Sequence, residues 1–360
     1  MSAGTLTVPP APQAPPDAPG TSRVRAAATA AAVPMLAVIV GLAVGAVLIL
    51  LAGGSPLAAY GTMLDAALGG DTQLGRLLTG MTPLVLMGLG YAVAYRTGFV
   101  TIGAQGHYDV GAITAAAVVL SMPLGSGWVA IPVVAVTAAA AGALVGAVAG
   151  VLKARLGVNE IISSLMLNYL VFYGLAWAVR KPLANPNGFT PESERIPEWA
   201  QLAMFPGTRI HLGVLVAVLA VPAVWWLMRS TRFGFASQVV GESPTVAAAN
   251  GIGVARTVVT AALISGALGG IAGAIMLLGS EFRLSLAISS GIGFTAIVVA
   301  LLGRRNPFGI VLASALVSGL TLGGQAVQRT QEIPASIGTV VQAVMILTVL
   351  VANRIVERAR

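Results

Sequence analysis

VAIPVVAVTAAAAGALVGAVAGVL, residues 129–152, runs for 24 residues without a charged side chain and ends on Lys153 and Arg155. A helix rises about 1.5 Å per residue, so about 20 apolar residues cross the hydrocarbon core of a bilayer. The run is long enough to span a membrane, and the whole chain shares its character: 57% hydrophobic and 9% charged over 360 residues. A soluble domain carries about 25% charged residues. So little charge cannot cover a water-facing surface. The expected fold is all-α, a polytopic bundle of membrane helices.

Working outward from this run, comparable segments are Pro34–Ala52, Pro83–Tyr95, Tyr108–Met122, Ile161–Val179, Leu212–Leu227, Val258–Leu278, Gly291–Leu302, Phe308–Leu322 and Ile337–Val351, which makes about ten spans. Pro83–Tyr95 and Gly291–Leu302 are short, as tilted, broken or re-entrant elements are. With a cytoplasmic N-terminus and all segments crossing, about two thirds of the 20 Lys and Arg residues fall on the inner side. The positive-inside rule therefore predicts N-in and C-in. Residues 1–31, rich in Pro and Ala, read as a disordered cytoplasmic tail. Residues 32–353 form the membrane domain and 354–360 a cytoplasmic C-terminal tail. The polar lead-in is long for a cleaved signal peptide, so the first span is expected to stay.

The net charge of +8 sits in short loops between apolar runs, without the interleaved exposed aromatics of a nucleic-acid surface. There are no cysteines, and His107 and His211 are the only histidines, so no metal centre or disulfide is expected. Lys153 is followed by Ala154 and Lys181 by Pro182, which excludes the phosphate-binding loop ending in Lys-Ser/Thr. The sequence also lacks HExxH and GxSxG motifs, so no catalytic residue, no enzyme activity and no cofactor are expected. Asp109, Glu160 and Glu281 all fall near predicted span ends, which argues against a proton-coupled carrier. Glycines at helical spacing, Gly41/Gly45, Gly142/Gly146/Gly150 and Gly266/Gly270/Gly273, predict tight packing between helices.

The inner loop 229–256, RSTRFGFASQVVGESPTVAAANGIGVAR, contains a punctuated helix. Ser243 suits the N-cap, Pro244 the first helical position and Gly251 the residue past the end. A short rigid helix on the inner surface can insert into a groove of a soluble partner and transmit its movement. The outer loop 180–210 holds Glu192, Glu194 and Glu198 and reads either as a partner contact or as a solvated connector.

Three stretches resemble one family. GESPTVAAANGIG resembles the coupling loop of the ATP-binding-cassette (ABC) importer permeases for ribose-like sugars and nucleosides, with Gly241, Glu242, Pro244, Ala247, Gly251 and Ile252 matching and Thr245 where an acidic residue is common. GVNEIISSLMLNY, from Gly157, is similar to the family's GVNEVIST segment, with Asn159 and Glu160 in place. FVTIGAQGH, from Phe99, is similar to its FNIGAEGQ motif, keeping Gly103 and Gly106 and replacing Asn by Thr101, Glu by Gln105 and Gln by His107. The likeness covers roughly residues 34–351 and is strongest to the longer of two paired nucleoside permeases.

The resemblance implies a bacterial plasma-membrane permease subunit that translocates nucleosides, or else simple sugars such as ribose or branched-chain amino acids. An ion-coupled secondary transporter is the alternative of a different class. It also implies a cytoplasmic ATPase with two nucleotide-binding halves, a second permease as heterodimer partner and an extracytoplasmic substrate-binding lipoprotein, all within membrane lipid and without nucleic acid. Glu242, Ser243, Pro244, Ala247, Gly251 and Ile252 would meet the ATPase. A nucleoside needs hydrogen-bonding partners for its hydroxyls and an apolar face for its base. Ser164, Asn168, Tyr169, Phe294 and Gln342 are the polar and aromatic span residues that suit such a pathway.

Overall fold

The computed structural model describes residues 39–121, 127–205, 207–208, 210–288 and 290–331, with isolated positions between 336 and 351. The tail 1–31, most of the last predicted span with Gln342, and the C-terminal tail lie outside the described residues. Among the described residues the regular structure is helical, joined by two isolated bridges.

The helices are α1 Ile39–Leu51, α2 Pro56–Leu68, α3 Asp71–Arg96, α4 Ala104–Ser121, α5 Gly127–Leu156, α6 Glu160–Ala178, α7 Gly213–Ser230, α8 Arg232–Glu242, α9 Pro244–Ala249, α10 Val254–Met276, α11 Ile292–Leu302 and α12 Pro307–Gln331. Six helices, α3, α5, α6, α7, α10 and α12, are long and apolar enough to cross a membrane; α1 and α2, bent by 119°, raise the number to seven if they form one span. The sequence reading of ten is finer than this. α4 drops out because Gln105, His107 and Asp109 lower its apolar character, and all three are buried inside the bundle. α11 has 11 residues, about 17 Å, or half the thickness of a bilayer core.

Pro83–Tyr95, expected to be short, is the second half of the 26-residue α3. Polar Asp71, Gln73 and Arg76 end the apolar run without ending the helix, and α3 is the most enclosed of the spans. It packs against α2, α7, α10, α11 and α12. The predicted glycine seam joins α5 to α10. A Cβ on Gly142 would lie 2.2 Å from the Gly266 carbonyl oxygen, and one on Gly270 would lie 2.1 Å from that of Ala138. Only hydrogen fits at this distance, so any side chain there would force apart α5 and α10, the most extensively packed helix pair among the described residues.

The connectors alternate between two ends. The α5–α6 turn, α8, α9 and the α11–α12 turn share one end, where Lys153 meets Glu160 at 2.7 Å and Arg305 lies 4.2 Å above the Tyr95 ring. The connector between α6 and α7 lies at the other end. It is not loose: the Ser193 amide donates to the Leu284 carbonyl, Ile196 to Phe282 and Leu202 to Leu278, and Glu192 pairs with Arg283.

Candidate functional site

The loop 229–256 folds as its punctuation predicts. Ser243 is extended (φ −156°, ψ 102°) and its hydroxyl accepts from the Val246 amide at 3.4 Å; Pro244 opens α9, and Gly251 follows its end at φ +75°. Ala247 is fully buried, whereas Glu242, Pro244, Thr245, Val246 and Ala248 are exposed. Ile252 packs beneath α9 with Val240 and Val258. The structure adds α8, capped by Thr231, whose hydroxyl accepts from the Gly234 amide at 3.0 Å. Arg96 at the end of α3 donates to Gln238 (2.8 Å), and Gln238 donates to Glu242 (2.9 Å), tying this region to the bundle.

A second assembly runs from the α5–α6 turn into the bundle. Asn159 caps α6, accepting from the Ile161 and Ile162 amides at 2.9 and 3.3 Å. Glu160, Ser164 and Asn168 follow at four-residue spacing and so share one face of α6. Along that face runs the segment before α4. The Val100 amide reaches Glu160, the Ile102 amide donates to Ser164 (3.0 Å), and the Ile102 carbonyl accepts from Asn168 (2.9 Å). Asn168 also accepts from the Gly106 amide at 2.8 Å, filling one of the open donors in the first turn of α4. Gln105, in that same turn, accepts from the Gly293 amide at 2.9 Å and so caps α11. A Cβ on Gly293 would lie 2.4 Å from the Gln105 backbone, which lets the two helix starts meet. Gly103 precedes α4, with its amide held by the Thr101 hydroxyl at 3.0 Å.

Where α4, α6 and α11 converge lies a cavity of about 300 Å³ lined by Gln105, Asp109, Leu165, Asn168, Tyr169, Phe172, Leu286, Ser290, Gly291 and Phe294. Four of the residues singled out in the sequence therefore meet here: Gln105, Asn168, Tyr169 and Phe294. Ser164 lies outside the lining, bonded to Ile102. Both ends of the Asn168 amide are engaged, so that residue shapes the wall while Tyr169, Phe172 and Phe294 offer it exposed rings.

The sequence reading placed Asp109 at a span end. α4 begins four residues before the predicted span, so the carboxylate sits inside the helix, fully buried, 3.3 Å from Gln105 Nε2 and on the cavity wall. An acidic residue within an apolar helix is a signal of function in its own right. Three exposed aromatic faces beside the Ser290 hydroxyl suit a neutral, flat, hydroxyl-bearing solute, with Asp109 holding Gln105 behind them. Among the described residues no group of His, Cys, Asp or Glu is arranged to hold a metal ion.

Residues 73–350 match the family model described as the permease component of the branched-chain amino acid transport system. The chain belongs to this family of ABC transporter permeases. It is 35% identical over 323 residues to the guanosine ABC transporter permease NupP of Bacillus subtilis, covering 88% of this chain and 92% of that one. It is 32% identical to the glucose ABC transporter permease TsgB13 of Haloferax volcanii, over 89% and 87% of the two chains. It is 30% identical to the nucleoside ABC transporter permease NupB of Lactococcus lactis, over 89% and 90%. No solved structure matches. These relatives are transport subunits rather than enzymes, and the apolar helices place the chain in a membrane as a multi-pass protein.

Proposed function

We propose that this permease imports nucleosides, with the cavity between α4, α6 and α11 on their path. The observation that carries the reading is the wall itself: Tyr169, Phe172 and Phe294 provide faces for a base, and the exposed Ser290 hydroxyl provides a partner for a ribose hydroxyl. Two relatives named for guanosine and nucleoside transport support the same substrate class. Exposed Glu242, Pro244 and Thr245 around α9, with Ala247 turned inward, form the surface offered to a cytoplasmic ATPase with two nucleotide-binding halves.

The membrane arrangement proposed is ten crossings with both termini inside, counting α4, α11 and the run 337–351; the alternation of connectors between two ends supports it. A second permease completes the pathway on the side where the three rings are exposed. A substrate-binding lipoprotein meets the opposite end, where Asp65, Arg76 and Arg329 line a cleft of about 510 Å³ between α2, α3 and α12.

The test is uptake of radiolabelled guanosine, uridine and ribose by cells with and without the gene. Loss of nucleoside uptake alone is the expected result. Loss of ribose or glucose uptake alone overturns the substrate and moves it to sugars, the reading favoured by the glucose-permease relative.

A further inference from the structure

α9 contributes no residue to the cavity wall, and neither do its neighbours α8 and α10. Movement at the inner surface therefore needs an intermediary to reach the cavity. The connector Thr97–Gly103 touches both regions. At its start, Phe99 is 2% exposed and lies in one small core with Ala247 of α9, Val240 of α8 and Val258 of α10. Phe99 is the only aromatic in that core; the other members are alanines and valines, with partly buried Leu167 and Ile252 against them. The backbone there is in close contact as well: a Cβ on Gly241 would lie 2.1 Å from the Arg96 carbonyl oxygen and 3.3 Å from the Gly98 nitrogen. Movement of the α8–α9 hairpin thus presses directly on this connector.

At its far end the connector is held by side chains rather than by its own helix. Ser164 and Asn168 grip the amide and the carbonyl of Ile102, Asn168 goes on to Gly106, and Gln105 goes on to Gly293. Tyr169 and Phe172 stand on the helix that grips the connector, and Phe294 stands on the helix that Gln105 caps. A shift of Ile102 therefore acts on both sides of the cavity at once.

We propose that the connector Thr97–Gly103 transmits the displacement of α9 to the cavity, with Phe99 as the positioning residue at its driven end and the Ile102 backbone as its point of attachment. This rests on the reading of α9 as the contact to the ATPase. Neither Phe99 nor Ser164 lines the cavity, so their variants report on transmission rather than on solute binding.

The experiment reconstitutes the complete importer in vesicles, with ATPase, partner permease and binding protein. It measures ATPase co-purification, ATP hydrolysis with and without solute-loaded binding protein, and nucleoside imported per ATP. Phe99→Ala is expected to keep the ATPase bound while lowering nucleoside imported per ATP by roughly tenfold, the size of an ordinary coupling free energy. Phe99→Leu restores most of it. Ser164→Ala, which leaves the inner core intact, lowers the same ratio by a smaller factor, and this variant decides the matter should Phe99→Ala fail to reach the membrane. Wild-type ratios in Phe99→Ala, or in Ser164→Ala if only that variant is recovered, overturn the proposal. A cysteine introduced at Thr245 that fails to cross-link to the ATPase in the assembled complex overturns the reading of α9 instead, whatever the transport ratio.

Discussion

The two connectors at either end of α7 have opposite designs. The one proposed as outer, between Ala178 and Gly213, is fastened down, and the other is proposed as inner. Ser193, Ile196, Ala200 and His211 are buried, and backbone bonds stitch it to residues 278–284. The inner one, between Ser230 and Val254, is folded but presented. Its two short helices each carry their own cap, bury one narrow face and leave the rest exposed. A connector that must keep its place spends its backbone groups on distant partners, whereas one that must move as a unit satisfies them locally. The contrast teaches that the outer connector is part of the bundle and the inner one is a separate part resting on it.

The largest effect comes from charging the seat of the inner connector. Ala247→Asp places an unpaired carboxylate in a dry core, which costs several kcal/mol. Uptake in cells is expected to vanish while the protein still reaches the membrane, as judged by immunoblotting. Phe189→Asp, at the fully exposed tip of the outer connector, is expected to transport normally. Loss of uptake in that variant would break the comparison.

Next in size, Tyr169→Ala and Phe294→Ala should each lower nucleoside uptake by about tenfold, the worth of one aromatic face stacked on a base. The amount of each variant in the membrane, read by immunoblotting, is the control.

A third effect is pH-dependent and belongs to the outer connector. His211 is fully buried, its ring nitrogens meet no partner on another described residue, and burial holds its basicity below the ordinary value. The folded protein keeps the ring neutral, while the unfolded chain takes a proton below about pH 6.5. Stability is therefore full above that pH and falls as the medium is acidified. The melting temperature of the purified complex should drop between pH 7.5 and 5.5, and His211→Phe should remove that part of the drop. The smallest effect is Glu192→Gln. Its pair with Arg283 is partly exposed, so under about 1 kcal/mol is expected, read as a slight gain in protease sensitivity of the outer connector.

Local signals were legible in the sequence, and distant ones were not. Ser243, Pro244 and Gly251 announce α9 because caps act within one helical turn. α8 escaped because RFGFASQVVGE is only 11 residues long and weakly apolar overall, and its stability comes from Thr231 and from packing on Arg96 and Gly98. Asn159, Glu160 and Asn168 stood out in the resemblance and Ser164 as a polar span residue, but the service of Glu160, Ser164 and Asn168 to residues 100–106 depends on partners about 60 positions away. The cavity joins residues separated by nearly 190 positions, and no single segment encodes that meeting. Asp109 was misplaced because hydropathy stopped where α4 continued, the same error that shortened α3.

The enclosure of α3 has a consequence for how the chain is made. α7, α10, α11 and α12, which wall it in, all follow it in the sequence. When α3 leaves the insertion machinery, these neighbours do not yet exist, so apart from α2 lipid is the apolar medium available to it. A helix that scarcely meets lipid in the finished protein must still be apolar enough to enter it alone. The apolar second half of α3, Pro83–Tyr95, thus serves the order of assembly as well as the final packing, and the polar groups of α4, buried by the later helices α5, α6, α10 and α11, must wait for them.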